Sequence, residues 1–170
     1  MIEIKRITPE TAFVFKEARL RALADSPTAF SSTYARESQF PDEEWRRRAE
    51  RCSDDGKDAM FMAFEGGAVC GIAGTLRDTQ IAGRAQLVSM WVDPAYRRAG
   101  VGRMLVHAVV EWNRDRDVRE IVLMVTDVNE GAIAFYERLG FVKTGLTEQY
   151  PNDTAIVEHE MMLRIPLIAG

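Results

Sequence analysis

The sequence predicts an α+β fold: a mixed, mostly antiparallel central sheet with helices on both faces, in the chain order βαα-βββ-α-β-α-ββ. Three observations lead there. Two apolar runs flank Gly66-Gly67, which is the pattern of a hairpin. "EIVLMVT", residues 120–126, is a continuous apolar run of strand length, as expected of a strand buried on both faces and paired in parallel. A glycine-rich loop, "YRRAGVG", follows several strands instead of a first one, which argues against a doubly wound sheet.

The elements follow in order. "IEIKRI" alternates apolar and polar and reads as a first strand from Ile2 to Ile7. Thr8-Pro9 starts a helix, since proline suits a first helical turn. Phe13, Ala18, Leu20 and Leu23 are its expected apolar face, through Ala24. "DSPTAFSSTYARESQFP" carries the breakers of a loop. "PDEEWRRRAERC" is a second helix, acidic first and basic later, as the helix dipole favours. "AMFMAFE" and "AVCGIAGTLRD" form the hairpin, and "RAQLVSMWV" is the next strand, entered through Gly83. A helix from about Val101 to Arg114 repeats Val101, Leu105, Ala108, Val109 and Trp112 at helical spacing. In "NEGAIAFYERLG" Asn129 is a good N-cap and Gly140 a good residue past the C-terminal end. "FVKTGLTEQY" and "AIVEHEMMLRI" close the chain as two strands.

A chain of 170 residues, 46% of them apolar, fits one domain over residues 1–170 with a substantial core. A net charge of −4 argues against a nucleic-acid partner, and no run nears the roughly 18–20 apolar residues of a membrane span. The N-terminus lacks the apolar stretch of a secretory signal, so the expectation is a cytoplasmic protein. Cys52 and Cys70 fit no metal spacing, and no metal site is expected. Arg46, Arg47 and Arg48 read as a solvated helix face.

The chemistry points to the loop "DPAYRRAGVGRML", residues 93–105. Pro94 stops the strand, and Gly100 and Gly102 let backbone approach a ligand without a Cβ in the way. The loop's amides then lie at a helix N-terminus, a site for phosphate oxygens, with Arg97, Arg98 and Arg103 adding charge. A P-loop would end in Gly-Lys-Ser/Thr, which is absent; a Rossmann fingerprint would want glycine where Leu105 stands.

Arg97-Arg98-Ala99-Gly100-Val101-Gly102 fits the pattern Gln/Arg-x-x-Gly-x-Gly/Ala. Asn129, Ala132, Tyr136, Gly140 and Phe141 fit Asn-x-x-Ala-x-x-x-Tyr-x-x-x-Gly-Phe. With this order and separation the chain resembles the GNAT superfamily of Gcn5-related N-acetyltransferases over essentially its whole length. The resemblance implies the acyl-coenzyme A N-acyltransferase fold and acetyl-coenzyme A in a cleft where the fourth and fifth strands splay apart. It implies that the amides of Arg98, Ala99, Gly100, Val101, Gly102 and Arg103 hold the pyrophosphate, with Arg97 at the loop's start. Met90 and Val92 would pair with the pantetheine arm as an added strand does. Asn129 would contact the same arm, and Tyr136 would reach the thioester sulfur.

These residue types suit the reaction the resemblance implies: acetyl transfer to a primary amine by direct attack in a ternary complex, releasing coenzyme A. The oxyanion needs a fixed donor, the Met90 or Val92 amide. A phenol titrates near 10 and a thiol near 8.5, so Tyr136 can protonate the departing thiolate. Ile133, Tyr136 and Leu139 share one stripe, so spacing alone reads Tyr136 as core; Asn129 likewise can be only an N-cap. "AQLVSMWV" holds no carboxylate to act as base. Attack by the neutral amine through a water relay is the first expectation, with Glu158, His159, Glu160 or Asp153 as candidate bases. His107 reads as a packing or surface residue.

The acceptor, a small-molecule amine or a peptide or protein amine, is expected between "SPTAFSSTYARESQFP" and "EQYPNDTAIVEH". Phe30, Tyr34, Phe40, Trp45 and Trp91 are available to it as apolar contacts. The resemblance also allows a homodimer. The competing functions are a non-catalytic sensor of acyl-coenzyme A and an interaction domain using an open sheet edge.

Overall fold

The computed structural model describes residues 1–53 and 56–166. Its strands are β1 (Ile2–Arg6), β2 (Ala59–Glu65), β3 (Ala68–Arg77), β4 (Arg84–Val92), β5 (Glu120–Thr126), β6 (Val142–Gln149) and β7 (Val157–Arg164). Its helices are α1 (Ala12–Asp25), α2 (Tyr34–Glu37), α3 (Asp42–Arg51), α4 (Val101–Arg114) and α5 (Glu130–Arg138). The strands form one seven-stranded sheet in the order β1-β2-β3-β4-β5-β7-β6. All neighbours run antiparallel except β4 and β5. The predicted order is therefore found, with α2 as one extra turn inside the segment read as a loop.

Two apolar clusters cover the two faces of the sheet. One joins β2, β3, β4 and β5 to α4 and α5 through residues such as Leu87, Leu105, Val109, Leu123 and Phe141. The other joins α1, α3 and the opposite face through Phe15, Leu23, Trp45, Met62 and Ile72. Burying each such large side chain contributes about 1.5–3 kcal/mol, so both faces are firmly held.

The apolar face of α1 differs from the expectation. Ala12, Phe15, Ala18, Ala22 and Leu23 are buried, while Phe13 is 43% exposed. At about 100° per residue Phe13 and Leu20 point roughly 140–160° away from Phe15, so the expected stripe mixed two faces. Phe13 instead lies under the Arg46 guanidinium. In α4 the buried set is Val101, Gly102, Leu105, Val106, Val109 and Asn113, with Ala108 and Trp112 only partly covered. Cys52 and Cys70 are buried free thiols. Among the described residues no helix is long and apolar enough to cross a membrane.

What matters for the site is where the sheet opens. β4 and β5 pair only over Arg84–Gln86 and Glu120–Val122. Beyond that β4 carries a bulge: Ser89 and Met90 stand against the single residue Ala73 of β3. Ser89 takes φ of +58°, and its hydroxyl accepts a 2.7 Å hydrogen bond from Arg19 Nη1 of α1. A bulge bends its strand, and here the bend coincides with the parting of β4 from β5.

Candidate active site

The gap between β4 and β5 is the floor of a cleft of about 970 Å³. Its walls include Met90, Val92, Arg97, Arg98, Gly100 and Tyr136. Phe30, Thr126, Glu148 and Glu158 line it as well. These residues come from both faces of the sheet, so the cleft passes through it.

At the α4 end, the Asp93 amide donates to Cys70 of β3 at 2.9 Å. Main-chain direction alternates along a strand, so the polar groups of Val92 and Met90 face away from β3, into the cleft. The Val92 carbonyl already accepts from Arg97 Nε at 3.0 Å. That leaves the Val92 amide and the polar groups of Met90 for a ligand.

The loop after β4 has two left-handed residues, Arg98 (φ +70°) and Gly100 (φ +83°). Alternating backbone of this kind turns successive amides inward into an anion-binding concavity. Among the described residues the amides of Arg98, Gly100, Val101, Gly102 and Arg103 donate to no protein acceptor, the first helical bond of α4 coming from Met104. The amides of Arg97 and Ala99 are used inside the loop, on the carbonyls of Pro94 and Tyr96 at 3.4 and 3.3 Å.

The two glycines do different work. A Cβ on Gly100 would meet nothing within 4 Å, so its φ is what requires glycine. A Cβ on Gly102 would come within 3.0 Å of the Phe135 ring and 3.1 Å of Met90 Cε. Gly102 therefore lets the start of α4 lie against α5.

Arg97 is held as part of the frame. Its guanidinium pairs with Asp25 at 2.6 Å and with the Val92 carbonyl. Burial alone would raise the Asp25 carboxyl, but hydrogen bonds from Ser26 and Trp91 and the Arg97 charge hold it below its ordinary pKa. Arg98 and Arg103 are exposed and bind no carboxylate among the described residues.

Asn129 caps α5, its side chain accepting from the Ala132 amide at 3.2 Å, and it also lines the cleft. Tyr136, on α5, is 8% exposed and packs against the rings of Phe135 and Phe141. Its hydroxyl makes no hydrogen bond among the described residues, and burial pushes its pKa well above the ordinary phenol value. A buried tyrosine hydroxyl usually has a partner; this one opens onto the cleft.

The other end lies on the α1–α3 face. Thr126, the last residue of β5, donates from Oγ1 to the Thr28 carbonyl at 3.4 Å. The Tyr150 hydroxyl and the Asn152 amide both donate to the Phe30 carbonyl, tying the β6–β7 turn to the segment after α1. Both stretches expected to wall the acceptor thus meet here. Of the aromatics, Phe30 and Trp91 line the cleft, Trp45 is wholly buried, and Tyr34 is 49% exposed.

Among the candidate bases the structure separates one from the rest. Glu158 lines the cleft; His159, Glu160 and Asp153 do not. Glu160 accepts from Thr144 Oγ1 at 2.9 Å, Asp153 accepts from the Ala155 amide within its turn, and His159 lies on the opposite face of β7. His107 is exposed on α4. Sequence reasoning missed Arg19 and Glu37, and it read Arg48 as part of a solvated helix face, whereas Arg48 turns inward onto Glu37. Glu37 is fully buried and bridges Arg19 at 2.9 Å and Arg48 at 2.6 Å. Nothing in their spacing announces this contact between α1, α2 and α3.

A family model described as the Acetyltransferase (GNAT) family matches residues 20–141. The chain belongs to that family. The acetyltransferase of the GNAT family from Streptococcus pneumoniae superposes with a TM-score of 0.80 at 21% identity, covering 98% of this chain and all of that one. The PaiA N-acetyltransferase of Thermoplasma acidophilum, solved with coenzyme A, gives a TM-score of 0.78 at 18% identity, over 97% and 99% of the two chains. In sequence, the [ribosomal protein bS18]-alanine N-acetyltransferase of Escherichia coli is 34% identical over 83 residues, 49% of this chain and 56% of that protein. An uncharacterized N-acetyltransferase of Methanocaldococcus jannaschii is 32% identical over 90 residues, 53% of this chain and 37% of the relative. The GNAT chain thus spans from about a third to about half the length of these curated relatives.

Proposed function

We infer that this GNAT chain is an acetyl-coenzyme A-dependent N-acetyltransferase acting on a primary amine in a ternary complex. The observation that carries the reading is the alignment, along one cleft, of unused loop amides, an unpaired strand edge and an unpartnered tyrosine hydroxyl. They would hold, in turn, the diphosphate, the pantetheine arm and the thioester. Acetyl-coenzyme A, when bound, supplies the acetyl group as a thioester.

The protein's own part is binding and proton placement. The amides of Arg98, Gly100, Val101, Gly102 and Arg103 bind the diphosphate at the positive end of α4, helped by the Arg98 and Arg103 guanidiniums. Ala99 shapes the loop, and Arg97 holds β4 to α1. The main chain of Met90 and Val92 pairs with the amides of the pantetheine arm, and Asn129 faces the same arm. The Met90 or Val92 amide stabilises negative charge on the thioester oxygen. Tyr136, kept protonated by burial, gives its proton to the departing sulfur. The acceptor enters from the α1–α3 face, as a small-molecule amine or a peptide or protein amine.

The test is free-thiol release from acetyl-coenzyme A with a panel of amines, beside calorimetry of coenzyme binding. Tyr136→Phe is expected to lower kcat by about 10²-fold or more while coenzyme affinity stays within about twofold. An equal loss in both removes Tyr136 from the acid role. Coenzyme binding without thiol release would make the chain a sensor.

A further inference from the structure

We propose that Glu158, with Glu148 opposite it on β6, receives the acceptor as an ammonium ion, and that Glu158 takes the proton the amine must lose before attack. This rests on the acetyltransferase reading and adds to it the substrate class and the base.

The two carboxylates are direct cross-strand partners in the β6–β7 register and both line the cleft. Like charges placed directly opposite on a sheet destabilise it. Among the described residues no cation pairs with either of them. Glu158 is only 9% exposed, yet among the described residues it neither accepts a hydrogen bond nor pairs with a cation. The arginines that line this side are engaged elsewhere: Arg19 and Arg48 on Glu37, Arg97 on Asp25, Arg51 on Asp58. Glu158 is largely covered and its carboxylate opens onto the cleft without a protein partner, an arrangement that a ligand cation would stabilise. Burial, and then the Glu148 charge, raise the Glu158 carboxyl above its ordinary pKa, which makes it a better proton acceptor than a free carboxylate.

Its position fits the task. In the β5–β7 register Glu158 stands opposite Thr126, the residue that ends β5 beside the parting of β4 and β5. Thr126 bonds to Thr28, so this face of β7 looks onto the α1–α3 side, away from Tyr136. An amine entering there meets Glu158 before it reaches the thioester, and Tyr136 stands beyond.

The protons balance. R–NH₃⁺ gives one proton to Glu158. The C–N bond forms as the C–S bond breaks, and the second nitrogen proton passes to water. Tyr136 protonates the sulfur and recovers its proton from water, and Glu158 releases its own to solvent. The net products are the amide, the thiol and one proton.

Glu158→Gln, Glu158→Asp and Glu148→Gln are compared with the full wild-type chain by thiol release, using short alkyl amines and diamines, amino-acid esters, short peptides and an aromatic amine already neutral at pH 7. Calorimetry with acetyl-coenzyme A serves as the control for folding. Glu158→Gln is expected to lower kcat/KM for alkyl amines by about 100-fold, and for the aromatic amine far less, with coenzyme affinity unchanged. Glu158→Asp keeps a carboxylate and is expected to retain about a tenth of wild-type turnover, and Glu148→Gln to raise KM by about three- to tenfold. The proposal is overturned if Glu158→Gln stays within about threefold of wild type on alkyl amines, or if the Gln and Asp variants are equal. It is overturned too if the coenzyme binds but no alkyl or peptide amine releases thiol. A wild-type chain that binds no acetyl-coenzyme A instead overturns the acetyltransferase reading itself.

Discussion

On the α4–α5 side of the sheet, the groups facing the cleft are led by main-chain amides with no protein acceptor among the described residues. On the α1–α3 side they are side chains already held from behind: Arg19 and Arg48 by Glu37, Arg97 and Trp91 by Asp25, with the Tyr150 hydroxyl donating to the Phe30 carbonyl. The first wall is preorganised by backbone geometry and left open for a ligand. The second is a closed network that leaves over one largely covered carboxylate, Glu158, beside the exposed Glu148. A ligand of constant shape can be held by backbone; a variable one is met by side chains anchored from behind.

Breaking the closed wall is expected to have the largest effect. Glu37→Ala strands the Arg19 charge, whose side chain is only 11% exposed, and leaves Arg48 with Glu44 alone. Removing one partner of a buried charge cluster costs about 3–5 kcal/mol, which a urea unfolding curve would read. The Arg19 contact to Ser89 at the β4 bulge should loosen with it, so the surviving folded fraction is expected to bind coenzyme more weakly. A loss below about 1 kcal/mol would mean the network behaves as an exposed one does.

The open wall is tested at its two glycines. Gly102→Val pushes a branched side chain into Phe135 and Met90. Overpacking of that kind costs about 1–3 kcal/mol, and because α4 must shift, coenzyme affinity is expected to fall as well. Gly100→Ala meets no neighbour but keeps a positive φ, for a loss of about 1–2 kcal/mol. Melting curves of the two variants, read beside coenzyme titrations, separate packing from backbone strain.

A smaller effect distinguishes the adjacent arginines. Arg98→Ala is expected to weaken coenzyme binding by about tenfold, the worth of one charge-assisted hydrogen bond, with the melting temperature unchanged. Arg97→Ala is expected to do the reverse. It releases Asp25 and the Val92 carbonyl at a modest stability cost, about 1 kcal/mol or less because the pair is half exposed, with little direct loss of binding. Equal effects on affinity would return Arg97 to the diphosphate.

This contrast also explains how much the sequence could tell. The element order, the Gly66-Gly67 hairpin, the α4 loop and the Asn129 cap were all legible because each is a local rule: glycine where φ is positive, asparagine at a helix start, apolar runs of strand length. The wall proposed to hold the diphosphate is local in this sense, a single loop of consecutive residues. The Arg19–Glu37–Arg48 cluster and the Glu148–Glu158 pair were not legible, since their members meet only after the sheet and helices have assembled. Phe13 was misassigned for a related reason: α1 carries apolar residues on two sides, and only packing selects the one facing the core. β4 holds no carboxylate, and Glu158, one of four candidate bases along the chain, lies two strands away across the sheet, where spacing alone does not single it out.

The smallest effect is the sharpest test of the leftover carboxylate, because it needs no substrate. Glu158 has a raised pKa in the folded chain, through burial and then the Glu148 charge. Glu160 shares its face of β7 but is held by Thr144, and β5 presents Met124 and Thr126, which carry no charge. Arg19 of α1 lines the same cleft with its charge on Glu37. The sign follows from linkage. At a pH below the unfolded value, near 4.3, the carboxyl is neutral in both states and costs nothing. As pH climbs through the raised folded value, the folded state must ionise a group it disfavours, and stability is lost. Glu158→Gln removes that loss. The variant is therefore expected to melt with wild type near pH 4 and above it at pH 7, and Glu148→Gln to show part of the same gain. A Gln variant less stable than wild type at pH 7 would mean that Glu158 has a cation partner in the folded chain, and the leftover carboxylate would then belong to the closed network after all.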